Sequence, residues 1–195
     1  MTRSDEELLA SAGRGDQAAF ALLAQRHYEP ILRFVRRFLG ADLAACEDLA
    51  QETLLRAWRY APRFEPRGSA RGWLFQIATN ACLNQRRAMR LRGAAPFDAH
   101  DLAAADTTDA AESHERSQRI RAAVARLPQN QRAAILLRHF EELTYAQIAE
   151  ALEVSPAAVE SLLHRARSRL RELLQEIAEN PPTPEGLGRP ACSSG

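Results

Sequence analysis

A membrane-spanning segment is missing from the sequence. Its longest uncharged run of real apolar weight, Gly72 to Gln85, is interrupted by Gln76, Asn80 and Asn84 and is shorter than the ~20 apolar residues that a spanning helix needs. A membrane-spanning helix is thereby not expected. The first ten residues, MTRSDEELLA, lack the basic and apolar regions of a secretory leader; they are acidic, and Ser4 followed by Glu7 reads as a helix-capping box. The expected location is the cytoplasm. Cysteine is scarce: Cys46, Cys82 and Cys192 are odd in number, far apart and without histidine or cysteine partners at metal-ligand spacing. That argues against a disulfide framework or a zinc site and leaves Cys46 and Cys82 as small buried or half-buried residues. No glycine-rich phosphate loop, metal cluster or nucleophile elbow is present, so the sequence predicts a protein that is not an enzyme and holds no cofactor or metal. Lysine is absent altogether; all 26 cations other than histidine are arginine, a bias that suits a GC-rich genome and carries no mechanism.

What is there is 195 residues, enough for one ordinary domain or two small ones. The net charge of +1 averages two opposite blocks. Residues 56–92 hold nine arginines against Glu65 alone, whereas residues 93–115 hold Asp98, Asp101, Asp106, Asp109, Glu112 and Glu115 and no arginine. The stretch 93–113 is rich in Ala, Asp and Thr and reads as a flexible acidic linker. Some twenty residues reach at most ~70 Å extended and average ~25 Å as a coil. The expected architecture is all-α: a small helical domain at 1–92, the linker at 93–113, a second small helical domain at 114–178 and a disordered tail at 179–195.

The second domain carries the most specific local pattern, TYAQIAEALEVSPAAVESLLHRARSRLR at 144–171. Thr144 with Gln147 forms a capping box, Leu143 and Ile148 sit as a hydrophobic staple, and Ser155 with Pro156 caps and opens a second helix after the turn Glu153 to Ser155. Two short helices joined this way make a helix-turn-helix. Along the second helix Val159, Leu162, Leu163, Ala166 and Leu170 form an inward stripe, and the opposite face presents Ala157, Ser161, His164 and Ser168, flanked by Arg165 and Arg171. Short polar side chains toward base edges and arginines toward phosphates are what a major-groove helix requires.

The first domain reads as a series of helices. One spans residues 5–13; a second spans Ala18 to Leu39, with Phe20, Leu23, Ile31, Val35, Phe38 and Leu39 as core and Gly40 as its end. Pro30 leaves open whether that second segment is one helix or two. ACEDLAQETLLRAWRYAPRF then packs Leu49, Thr53, Leu54, Ala57 and Trp58 inward, and Glu47, Asp48, Gln51, Glu52 and Leu55 lie on or near another side, as solvated surface or as a docking face. After a loop at 63–68 containing Glu65, Pro66, Arg67 and Gly68, Ser69 caps a helix running to about Arg92 whose core positions are Leu74, Ile77, Ala78 and Ala81. Trp73, Asn80, Asn84 and Arg87 share another of its faces. Such a strip suits unpaired bases, with an aromatic ring to stack on, amides for base edges and arginines for the backbone; Trp73 fits the core equally well. In the second domain, helices at 115–127 and 128–142 offer Ile120, Val124, Leu127, Ile135, Leu136 and Phe140 as core.

Taken together these segments resemble the extracytoplasmic-function sigma factors, the compact two-domain initiation factors of bacterial RNA polymerase. EDLAQETLLRAW at 47–58 looks like the family's polymerase-binding helix, SARGWLFQIATNACLNQRR at 69–87 like its promoter-melting and minus-ten helix, and residues 127–173 like its minus-thirty-five domain. The resemblance implies core RNA polymerase and promoter DNA as partners, with an anti-sigma factor as a further one that would cover the polymerase-binding surfaces. By it, Asp48, Gln51, Glu52 and Leu55 dock the clamp helices of the large polymerase subunit. Asn80, Asn84 and the Glu65 to Gly68 loop capture minus-ten bases of the non-template strand, and Ser161, His164 and Arg165 read the minus-thirty-five element. The sequence departs from the common pattern at Glu153, where a turn glycine is usual, and at Ala157, Ala158, Glu160 and Leu162, where many members have glycine, threonine and basic residues.

Overall fold

The computed structural model describes residues 3–40, 42–65, 68–91 and 111–179, and among them the ordered elements are all helical. Four helices form the first domain: α1 (Asp5–Gly13), α2 (Gln17–Leu39), α3 (Leu43–Tyr60) and α4 (Ala70–Leu91). Four more follow: α5 (Ala111–Ala125), α6 (Gln129–His139), α7 (Tyr145–Leu152) and α8 (Pro156–Glu179). The expected linker at 93–113 falls largely, and the tail at 179–195 almost wholly, outside the described residues, as do Pro66, Arg67 and Cys192.

Local side-chain chemistry starts and stops these helices as the sequence predicts. Ser4 and Glu7 close a reciprocal capping box on α1, and Asp16 accepts the Ala19 N–H at 3.0 Å to start α2. Gly40 ends α2 in the left-handed conformation, at φ 62°. Pro30 does not divide α2, which runs unbroken from Gln17 to Leu39. α3 stops at Tyr60, and Pro62 lies in the single 3-10 turn Ala61–Arg63. Ser69 Oγ accepts the Gly72 N–H at 3.2 Å at the start of α4.

In the second domain Thr144 and Gln147 close a capping box on α7, and the staple residues Leu143 and Ile148 are both fully buried. Ser155 Oγ accepts the Ala158 N–H at 3.2 Å to cap α8. Two boundaries differ from expectation: α5 starts at Ala111, inside the expected linker, instead of at Glu115, and α6 ends at His139 instead of continuing to Glu142, because Glu142 adopts φ 52° and turns the chain toward α7.

Glu153 also takes a positive φ, 53°, at the C-cap of α7. A left-handed glutamate is strained by its Cβ, so Glu153→Gly is expected to stabilise the domain by up to ~1 kcal/mol, or about 2–4 °C in Tm. Against this stands the loss of a 2.7 Å hydrogen bond that Glu153 accepts from Gln76. Thermal unfolding followed by circular dichroism decides between the two, and a fall in Tm would mean that the hydrogen bond outweighs the strain.

One continuous apolar cluster joins α2, α3 and α4 to α5 through α8, and a smaller one lies under α1. Phe34 anchors the first, with its ring 5.7 Å from Phe38 and edge-on to Phe75 at 5.5 Å. Leu23, Ile31, Val35, Phe38, Leu54, Ala57, Leu74 and Ala78 are buried as their spacing predicts. Phe20, Trp58, Ile77, Leu162 and Leu170 are only half-buried, and two expected core residues are exposed: Ile120 at 39% and Phe140 at 42%. The Phe140 ring instead lies under the Arg37 guanidinium, 4.5 Å from centroid to charge.

Candidate polymerase and promoter interfaces

On α3 the division of labour is sharp. Cys46, Leu49, Ala50, Thr53, Leu54 and Ala57 are buried, whereas Asp48, Gln51, Glu52 and Leu55 are all exposed. These four lie at i, i+3, i+4 and i+7, so they form one stripe, and Leu55 leaves 56% of its surface open at the end of it. Glu52 pairs with Arg56 one turn on, at 2.6 Å. An exposed pair of this kind contributes only ~0.3–0.5 kcal/mol and is easily exchanged for a partner.

On α4, Asn80, Asn84 and Arg87 are exposed along one side while Leu74, Phe75, Ala78 and Cys82 are buried on the other. Trp73 serves both: it is half-buried in the smaller core cluster, with its ring 5.5 Å from Phe64 at 61°. Glu65 is exposed at the start of the preceding loop and Gly68 is half-buried at its end. Cys46 and Cys82 are buried, reduced thiols, and burial pushes the Cys82 thiol far up from its ordinary range. Among the described residues no group of three or more His, Cys, Asp or Glu is placed to hold a metal ion.

On α8, Val159, Leu163, Ala166, Leu173 and Ile177 are buried, and Ala157, Ser161, His164, Arg165 and Arg171 are exposed, with Ser168 half-buried. Ser161 Oγ donates to the Ala157 carbonyl at 3.2 Å, and Arg165 Nε to the Ser161 carbonyl at 3.3 Å. Both side chains are thus laid along the helix surface. Arg169 is engaged elsewhere, by Glu172 at 2.8 Å and Glu176 at 3.8 Å.

The structure also brings together residues that sequence reasoning did not single out. Arg132 and Glu141 are 2% and 1% exposed, and Gln147 and Glu150 of α7 touch the start of α4. Burial raises the Glu141 carboxyl above its ordinary value, and the nearby Arg33, Arg37 and Arg71 guanidiniums pull it back down in part. A four-residue spacing from buried Leu136 was the only available signal for Arg132, and the charge of Glu141 argued against burial altogether.

Residues 23–92 match the sigma-70 region 2 family and residues 117–170 the sigma-70 region 4 family. The RNA polymerase sigma factor NccH of Alcaligenes xylosoxydans xylosoxydans is 34% identical over 178 residues, covering 88% of this chain and 95% of that protein. The ECF RNA polymerase sigma factor SigM of Mycobacterium tuberculosis is 35% identical over 173 residues, covering 88% and 85%. The chain belongs to the extracytoplasmic-function sigma factors.

Two solved structures of similar fold fit this assignment. CnrH in complex with the cytosolic domain of CnrY superimposes with a TM-score of 0.67 at 27% identity, covering 88% of this chain and 97% of that one. The sigma factor RpoE in complex with the anti-sigma factor NepR from Bartonella quintana gives 0.60 at 27% identity, covering 80% and 96%. Membership of the family makes this sigma factor a transcription regulator that binds RNA polymerase and directs promoter-specific initiation. No helix among the described residues is long and apolar enough to cross a membrane.

Proposed function

We propose that this sigma factor divides initiation among three surfaces. Asp48, Gln51, Glu52 and Leu55 dock on the clamp helices of core polymerase. Asn80 and Asn84, with Trp73, Arg87 and the Glu65 to Gly68 loop, capture unpaired minus-ten bases and so promote opening. Ser161 and His164 read the minus-thirty-five duplex, with Ala157 and Ser168 beside them and Arg165 and Arg171 holding phosphates. In this reading residues 1–92 act as the polymerase and minus-ten unit, 93–113 as a connector and 114–178 as the minus-thirty-five unit, with 179–195 as a tail, and the protein works in the cytoplasm. An anti-sigma factor is a natural further partner, since a structurally similar sigma factor is seen with one.

The observation that carries this reading is exposure. On α3 and α8 the assigned residues, apart from half-buried Ser168, lie on the solvent side of a helix whose other side is core, and on α4 Asn80, Asn84 and Arg87 do the same. A surface kept polar or basic without a packing role is available for a partner.

The minus-thirty-five assignment is tested by binding to a panel of point-varied duplexes at several salt concentrations. Arg165→Ala is expected to weaken binding about five- to tenfold on all sequences and to reduce the salt slope by about one, because it loses a phosphate contact. Ser161→Ala and His164→Ala should change which sequence is preferred. If Arg165→Ala leaves affinity and slope unchanged, or His164→Ala leaves the profile untouched, this face of α8 is not the reader.

A further inference from the structure

Helix α1 touches the chain on both sides of the minus-ten loop. At its C-terminal end Gly13 lies against the backbone of the 3-10 turn Ala61–Arg63 that leads into the loop, so closely that a Cβ there would stand 2.7 Å from the Ala61 carbonyl oxygen and 3.4 Å from Pro62 Cα. Only glycine allows this approach. Toward the other end of α1, Glu6 Oε1 accepts the Ala70 N–H at 3.2 Å, on the first residue of α4 beyond the loop. Glu6 is available for this contact because Glu7 closes the capping box on Ser4. Two turns of helix, roughly 10 Å, separate Glu6 from Gly13.

Apolar packing backs both contacts. Leu8 and Leu9 of α1 share one buried cluster with Ala61 before the loop and Ala70 after it, and Phe64 and Trp73 pack against that cluster with their rings 5.5 Å apart. The cluster that seats α1 therefore also orients Trp73. The helix has a footing of its own: Arg26 of α2 donates to Asp5 Oδ1 at 2.7 Å and to the Arg3 carbonyl at 2.9 Å, and His27 Nε2 lies 2.7 Å from Asp5 Oδ2. This ties α1 to α2 without help from the loop. A carboxylate at the start of α4 meets donors that lack a partner within the helix and is favoured by the helix dipole. It fixes where α4 begins and how it is rotated, and hence the direction in which Asn80 and Asn84 face from about three turns on.

On the basis of the minus-ten assignment above, we propose that α1 is a positioning element for base capture, a strut in which Gly13 and Glu6 fix the spacing between the turn that enters the loop and the helix that leaves it. Neither residue meets DNA itself. Unpaired bases then find a surface already in place, and the cost of ordering it is not charged against binding.

The test uses the full chain bound to core RNA polymerase and a fluorescent single-stranded oligonucleotide carrying the non-template minus-ten sequence of a promoter that this holoenzyme transcribes. Glu6→Ala is expected to weaken oligonucleotide binding about five- to tenfold, whereas Glu6→Gln, whose amide oxygen still accepts the Ala70 N–H, stays within about twofold of the parent. Gly13→Ala, which pushes the Ala61 turn away through the second contact, should weaken it by a similar factor. Affinity for core polymerase and for a minus-thirty-five duplex should be unchanged in all three. Because Glu6 acts through the capture residues, Glu6→Ala should cost only about two- to threefold in a chain already carrying Asn80→Ala. Parental oligonucleotide binding by Glu6→Ala and Gly13→Ala, full additivity of Glu6→Ala with Asn80→Ala, or a loss spread equally over core and minus-thirty-five binding overturns the strut. Asn80→Ala alone tells the two failures apart: if it leaves oligonucleotide binding at the parental level, the minus-ten assignment falls and the strut with it, and if it weakens binding while the α1 variants do not, the strut alone falls.

Discussion

Asp48→Arg combined with Glu52→Arg is expected to abolish association with core polymerase, a loss of roughly a hundredfold or more in affinity. Both side chains are exposed on the stripe that also carries Gln51 and Leu55, so reversing them turns an acidic docking face basic without entering the core behind it. Like charges set against each other across an interface cost several kcal/mol, and each 1.4 kcal/mol is about a factor of ten. Stability should hardly move, because the exposed Glu52–Arg56 pair is worth only ~0.3–0.5 kcal/mol. The far-UV circular dichroism should remain that of the parent helical protein. Co-elution of the double variant with core at the parental affinity would return this face to ordinary solvated surface.

The second large effect concerns strand separation. Asn80→Ala, Asn84→Ala and shortening of the Glu65 to Gly68 loop are each expected to lower open-complex occupancy about tenfold while closed complexes still form. Asn80 and Asn84 are exposed on one side of α4, one turn apart, with Arg87 continuing the strip. Extruding a base costs a few kcal/mol, and each lost hydrogen bond to a captured base removes ~1–2 kcal/mol of the compensation. A pre-melted template separates two causes: it rescues initiation if opening is the defect and rescues little if base capture is. Permanganate reactivity on duplex and pre-melted promoters reads both, and parental reactivity in all three variants would place the capture surface elsewhere on α4.

What could be seen in the sequence was what is decided locally. Ser4 with Glu7, Asp16, Ser69, Thr144 with Gln147 and Ser155 each meet the backbone donors of their own first turn, so the residue type alone announces the helix start. The exposed stripes of α3 and α8 were legible for the same reason, since helical spacing separates them from Leu49 and Leu54 or from Val159 and Leu163.

What could not be seen depends on the packing of one domain on the other. Glu141 looks like a solvated residue in the run Phe140 to Glu142, and only Arg33, Arg37 and Arg71, distant in sequence, make its burial tolerable. Phe140 reads as core by its size but meets Arg37 at the surface instead. The early end of α6 hangs on a left-handed Glu142, a conformation that glutamate gives no sign of adopting. Pro30 left one helix or two open, and α2 runs through it unbroken.

Run-off transcription with purified protein, core RNA polymerase and a panel of promoter fragments tests the central claim most directly. The account predicts that core alone is silent, that adding the protein gives transcripts of defined length from particular fragments, and that the Asp48→Arg, Glu52→Arg variant gives none. Tight binding to a palindromic duplex in the absence of polymerase, with no template-specific transcript when core is added, would contradict it.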